Sequence, residues 1–96
     1  MFTPYPLQVN LLNATTGTGD SILVLNFVYK TVVSKVTGVG TITAVLEVSN
    51  DGSFWVTVQT VTADTYYEST ISFKYIRVRV TSAGGKNIKA DLTANK

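Results

Sequence analysis

Thr41-Ile42-Thr43-Ala44-Val45-Leu46-Glu47-Val48-Ser49-Asn50-Asp51-Gly52-Ser53-Phe54-Trp55 is the stretch whose reading decides the fold. Ile42, Ala44, Leu46 and Val48 recur at every second position with Thr43 and Glu47 between them, the period that sends alternate side chains to opposite faces of a strand. Asn50-Asp51-Gly52 follows with turn chemistry. Asn and Asp bond their own backbone and Gly takes positive φ without a steric penalty, so a tight β-hairpin is expected here, with residues 54–61 as the returning strand.

The same signals repeat on both sides. Apolar or alternating runs at 7–12, 22–29, 31–37, 66–71, 75–81 and 87–94 are separated by turn residues, among them Gly17, Gly19, Gly38, Gly40, Gly84 and Gly85. Ile76, Val78 and Val80 alternate with Tyr75, Arg77 and Arg79, and Ile88, Ala90, Leu92 and Ala94 with Lys89, Asp91 and Thr93. The expected core comprises Ile42, Leu46, Val48, Ile76, Val78, Val80, Ile88 and Leu92, on strands solvated on their other side as antiparallel sheets allow. The composition agrees: 14 Val, 5 Ile and 15 Thr fill about a third of the 96 positions, and β-branched residues favour pleated surfaces over helices. No window carries a helical period. One domain over 7–96 is expected, behind an extended N-terminal arm at 1–6 in which Pro4 and Pro6 disfavour helix.

Residues 22–29, Ile-Leu-Val-Leu-Asn-Phe-Val-Tyr, break the alternation, because both faces of such a strand would carry large apolar groups. Either it is a central strand covered by the Phe2 and Tyr5 arm or by a long loop, or one of its faces is an oligomer contact. In the second reading Leu23, Leu25, Phe27 and Tyr29, with Phe2 and Tyr5 anchoring in a neighbour's groove, form the interface.

Several chemistries are excluded by composition. Without Cys or His the chain has no disulfide, thiol nucleophile, imidazole base or ordinary zinc site. Asp20, Glu47, Asp51, Asp64, Glu68 and Asp91 are scattered over turns and polar faces rather than paired across a cleft. No enzyme, cofactor or metal is expected. Calcium at Asp51 would need a second carboxylate nearby in sequence, and none is there. A net charge of +2 creates no strong field for nucleic acid or anionic lipid, and no run approaches the roughly 20 apolar residues of a membrane span. The first residues lack the basic and apolar regions of a secretory signal, so a product of the cytoplasm is expected.

Three further features have two readings each. Trp55 is expected in the core or at its edge, with a sugar-stacking platform as the alternative. Tyr66 and Tyr67 are expected one ring in and one out, the alternative again being ligand stacking. Arg77 and Arg79 share a polar face, where Glu47 on a neighbouring strand can pair with one of them; alternatively both guanidiniums reach carboxylates of a partner subunit.

Ser49-Asn50-Asp51-Gly52-Ser53-Phe54-Trp55, followed some twenty residues on by Tyr75-Ile76-Arg77-Val78-Arg79-Val80, resembles the S-x-D-G-x-x-W and Y-I-R-x-x-V pattern of discoidin-like (F5/8 type C) β-sandwich domains. The same pattern is found in small tailed-phage virion proteins, where a Gly/Thr-rich turn and a Thr-alternating strand such as Thr37-Gly38-Val39-Gly40-Thr41-Ile42-Thr43-Ala44 precede the hairpin. The resemblance implies an all-β antiparallel sandwich, jelly-roll or discoidin-like, of seven to eight strands. It also implies a non-enzymatic bacteriophage structural protein, foremost an auxiliary or decoration protein of the capsid, made in the host cytoplasm and located in the virion. Its partners would be further copies of itself, or the major capsid or tail protein lattice, with neither nucleic acid nor membrane involved. A tail or collar component is one alternative. The other is a small carbohydrate-binding module stacking sugars on Trp55, Tyr66 or Tyr67.

Overall fold

The computed structural model describes residues 7–96. Phe2 and Tyr5, part of the expected interface, lie outside the described residues. Eight strands follow in order: β1 (Leu7–Ala14), β2 (Ile22–Leu23), β3 (Tyr29–Thr37), β4 (Thr41–Ser49), β5 (Val56–Val61), β6 (Thr65–Ser69), β7 (Tyr75–Gly84) and β8 (Asn87–Asn95). Sheet I has the order β1-β8-β3-β6 and sheet II the order β2-β7-β4-β5, with every ladder antiparallel.

The first strand pairs with the last, the second with the seventh, the third with the sixth and the fourth with the fifth. The chain is therefore one long antiparallel ribbon doubled back at the β4–β5 connection. Wrapping that ribbon adds the β3–β8 and β4–β7 ladders and closes two four-stranded layers. This is the strand order of an eight-stranded jelly roll. Consecutive strands mostly cross between layers, so each layer contributes one apolar face to a shared core.

That core contains Ile42, Ala44 and Leu46 of β4, Ile76 and Val78 of β7, and Ile88, Ala90, Leu92 and Ala94 of β8, all buried, with Val48 and Val80 half-buried against them. The expected core residues all lie in it or on it. Glycine is required at two turns. Gly52 has φ +79°, and Gly40 has φ +111° with its Cα hydrogen directed at the Gly84 carbonyl, so that a Cβ there would collide with backbone.

The structure corrects four expectations. Residues 22–29 do not form one two-faced strand: β2 ends at Leu23, Leu25 and Asn26 make a turn, and β3 begins at Tyr29. Only Val24 of this run is fully buried, so an apolar run that cannot satisfy both faces is broken by a turn instead of being covered. The hairpin at Asn50 is not tight, because β4 stops at Ser49 and β5 starts at Val56. Its six connecting residues hold their own hydrogen-bond network. β4 is not solvated on its second face either, since Val45 and Glu47 are buried there, Glu47 against Arg77 and Arg79. Trp55, finally, is outside the core, half-buried against Arg77 on the outer surface of sheet II.

Leu46 is 1% exposed and faces Val78 across the β4–β7 ladder. Leu46→Ala should cost about 2–5 kcal/mol, the range for truncating a buried leucine. Chemical denaturation measures it; a cost equal to that of Thr43→Ala, on the opposite face of the same strand, would mean the core is misassigned.

Candidate functional site

Strand register places the β2–β3, β4–β5 and β6–β7 connections, the start of β1 and the end of β8 at one end of the sandwich. That end carries much of the surplus apolar surface. Leu25, Val28, Tyr29, Phe54, Val56 and Ile71 are all exposed there, Phe54 and Ile71 by 72% and 71%. Between the β4–β5 and β6–β7 connections the core opens into a groove of about 340 Å³, where Val48, Phe54, Val56, Ile71 and Phe73 meet the polar Asp51. Exposed apolar side chains gathered around an opening of this kind differ from scattered surface leucines, which need no explanation.

The connections that present these side chains are held by hydrogen bonds. In the β4–β5 connection the Asp51 carboxylate accepts from the Ser53 and Phe54 backbone N–H groups at 2.8 and 2.9 Å. Ser49 Oγ accepts from Asp51 N and Gly52 N, and the Trp55 indole donates to the Gly52 carbonyl. The Phe54 and Ser53 amides hold the Asp51 carboxyl below the usual carboxylate range. Asn50 Oδ1 accepts from Lys74 N, tying this connection to the next, and Ser69 Oγ accepts from Ile71 N.

The third connection is anchored from beneath. Lys30 is 1% exposed, its Nζ donating to the Phe27 and Val28 carbonyls at 3.0 and 3.2 Å and sitting 4.8 Å from the Phe73 ring centre. Burial lowers its pKa. The sequence reading assigned Lys30 nothing, although a Lys at the same parity as Val32, Ser34 and Val36 signals an inward-pointing ammonium in need of acceptors.

The residues expected at an interface separate into three groups. Leu23, Leu25 and Tyr29 are exposed at or beside the apolar end, whereas Phe27 is half-buried and packed against the core. Arg77 and Arg79 are on the outer face of sheet II and are committed within the chain. Glu47 Oε1 accepts from Arg77 Nε at 3.0 Å and Arg79 Nε at 3.1 Å, while Oε2 accepts from Arg79 Nη2 at 3.0 Å. One buried carboxylate thus holds both guanidiniums, where pairing with one was expected. Arg77 also stacks 4.0 Å from the Trp55 ring centre.

Trp55 and Tyr66 do not make one platform. Trp55 is on sheet II, covered by Arg77, while Tyr66 is exposed on β6 of sheet I and Tyr67 packs against the core. Sequence reading missed Phe54, Val28 and Ile71 as exposed groups. Ile71 ends the run 66–71 expected as strand, but Ser69, Thr70 and Ser72 around it lack the alternation that would turn it inward. Among the described residues, no three acidic side chains gather as a metal site. Asp64 accepts from Val36 N and Asp91 from Asn10 Nδ2, both structural contacts.

No protein-family model matches the chain, and no curated protein matches it. Among solved structures, the SPBc2 prophage-derived protein YomS is similar over 99% of this chain and 97% of its own, at TM-score 0.68 and 16% identity. A weaker likeness, at TM-score 0.48 and 15% identity over 94% of this chain and 85% of the other, is to a structure from work on disulfide-linked pili of Bacillus endospore appendages. At 16% identity what is shared with YomS is the fold.

Arg79 above all, opposing the effect of burial, holds the Glu47 carboxyl below its ordinary value of 4.5. A depressed folded-state value adds stability above the unfolded value, and that stability is lost as pH falls through the folded one. Glu47→Gln should therefore melt several degrees lower at neutral pH, and the gap to the unsubstituted chain should narrow as the solution is acidified below 4.5. Thermal melts across that range measure it; a gap independent of pH would show that charge contributes nothing to the pairing.

Proposed function

We propose that this chain is a non-enzymatic structural protein of a bacteriophage virion, an auxiliary or decoration protein set on the capsid in many copies through the apolar end of its sandwich. The observation that carries this reading is that end itself: Leu25, Val28, Phe54 and Ile71 exposed on connections fixed by Asp51, Ser69 and Lys30. Apolar anchors on pre-ordered loops lose little conformational freedom on docking, which is what a binding surface requires. A regular protein lattice then multiplies a weak single contact through many copies.

Two other observations support the reading. The jelly-roll fold is shared with a prophage-derived protein, and the sequence pattern from Ser49 to Val80 resembles that of small tailed-phage virion proteins. The major capsid protein is the proposed partner.

Mixing the purified protein with purified heads and, separately, tails of a phage that encodes it, then sedimenting the particles, tests the proposal. Saturable binding to heads in many copies is expected. Phe54→Ser with Ile71→Ser should abolish it while leaving the melting temperature nearly unchanged, since both side chains are solvent-exposed. Binding to tails alone, no binding to either particle, or undiminished binding by the double variant would overturn it.

A further inference from the structure

We propose that the free edge of β5 pairs with β5 of a second copy of this chain about a two-fold axis, extending sheet II into one continuous eight-stranded sheet. This surface is separate from the apolar end, and its pairing is a property of the free protein, tested without particles.

The four edge strands differ in what they offer a partner. β2 has two residues. β6 has five, carries Glu68, and its Tyr66 carbonyl already accepts from Gln59 Nε2 at 2.9 Å. Beside β1, Gly19 lies so close to the Leu11 carbonyl that a Cβ there would collide with it. Among the described residues, β5 is hydrogen-bonded by β4 on one side only, and Val56-Thr57-Val58-Gln59-Thr60-Val61 contains no charge, proline or glycine. Edge strands normally carry such residues to prevent strand addition. An uncharged β-branched edge invites it.

The sequence of β5 says which strand fits. Read about its midpoint it is two-fold symmetric: Val56 answers to Val61 and Thr57 to Thr60, with Val58 and Gln59 at the centre. Antiparallel pairing with its own copy therefore sets Val opposite Val and Thr opposite Thr. Like-on-like pairs of this kind are favourable and bring no charges together.

In a regular strand this match would fail, because positions three apart face opposite sides. Here the β4–β5 register shifts between Leu46 and Glu47, leaving Val58 as an extra residue: Glu47 faces Thr57, Leu46 faces Gln59 and Val45 faces Thr60. The bulge puts Thr57 and Thr60 together on the outer face, with Val56 and Val61 both turned inward opposite Val48 and Ala44. Faces and residue types then agree across the two-fold axis. A single self-complementary patch of this kind is what an isologous dimer needs.

Sedimentation velocity over a wide concentration range tests the proposal, and a reversible dimer is expected. Thr57→Lys with Thr60→Lys places like charges opposite each other twice and should weaken the dimer by about tenfold or more. Thr15→Lys with Thr16→Lys, exposed in the β1–β2 connection, should not. Register is read separately. With no native cysteine present, an oxidised mixture of Thr57→Cys and Thr60→Cys chains should cross-link, whereas either variant alone should not, because only the mixed pair is opposed closely enough for a disulfide. A chain monomeric at every concentration, a dimer indifferent to the lysines, or equal cross-linking of single variants would overturn the proposal. So would a dimer lost with Phe54→Ser and Ile71→Ser but kept with the lysines. Loss of head binding alone would overturn the virion reading and leave this one intact.

Discussion

Leu46 opposite Val78 on one face, and Glu47 between Arg77 and Arg79 on the other, make the β4–β7 ladder the seam on which both layers depend. The inner face anchors the core, where β8 packs from the opposite sheet. Among the described residues no second layer covers the outer face, and a buried carboxylate there would be costly if unpaired. Two arginines meet that cost. Their stems cover Glu47, and the Trp55 ring stacked on Arg77 links the seam to the connection that holds Phe54 in place. The ion cluster that fixes the central ladder is thus continuous with the scaffold of the apolar end.

The alternation in residues 41–49, 75–80 and 88–94 exposed the core strands to sequence reading, because a half-buried antiparallel strand writes its burial directly into a period of two. Residues 22–29 misled for the converse reason. A run without alternation reads the same whether it is a doubly buried strand or a turn with its apolar groups left exposed, and only the register of Leu23 with Tyr75 and of Tyr29 with Asn95 distinguishes them. The size of its ring leads to the expectation of Trp55 in the core or at its edge. Its position beside Arg77 depends on a cross-sheet neighbour that local sequence does not specify.

The two ends of the sandwich carry different chemistry. The end made by the β1–β2, β3–β4, β5–β6 and β7–β8 connections is rich in Gly and Thr, and its turns rest on backbone fit, as at Gly40 against Gly84. Val39 is the only large apolar side chain exposed at the β3–β4 turn. At the other end, the β2–β3, β4–β5 and β6–β7 connections pass apolar residues outward while their polar ones are used as internal caps. Asp51, Ser49, Ser69 and Lys30 all bond backbone there, so the hydrophilic groups stabilise the loops and the hydrophobic ones face solvent. That inverts the usual arrangement, in which the polar groups face water.

The apolar end and the β5 edge impose a geometric condition on each other. Antiparallel pairing about a two-fold axis points the apolar ends of the two copies in opposite directions. A paired dimer laid on one shell surface could seat only one of them, leaving the other in water, so the two contacts suit the same assembly only where a lattice presents facing sites. On a smooth shell they compete. The β5 contact would then hold the protein before docking, and seating on a lattice, where many copies act together, would release it. Because the edge pairs without charges, its strength depends little on ionic strength, and the competition is set by concentration and lattice occupancy instead.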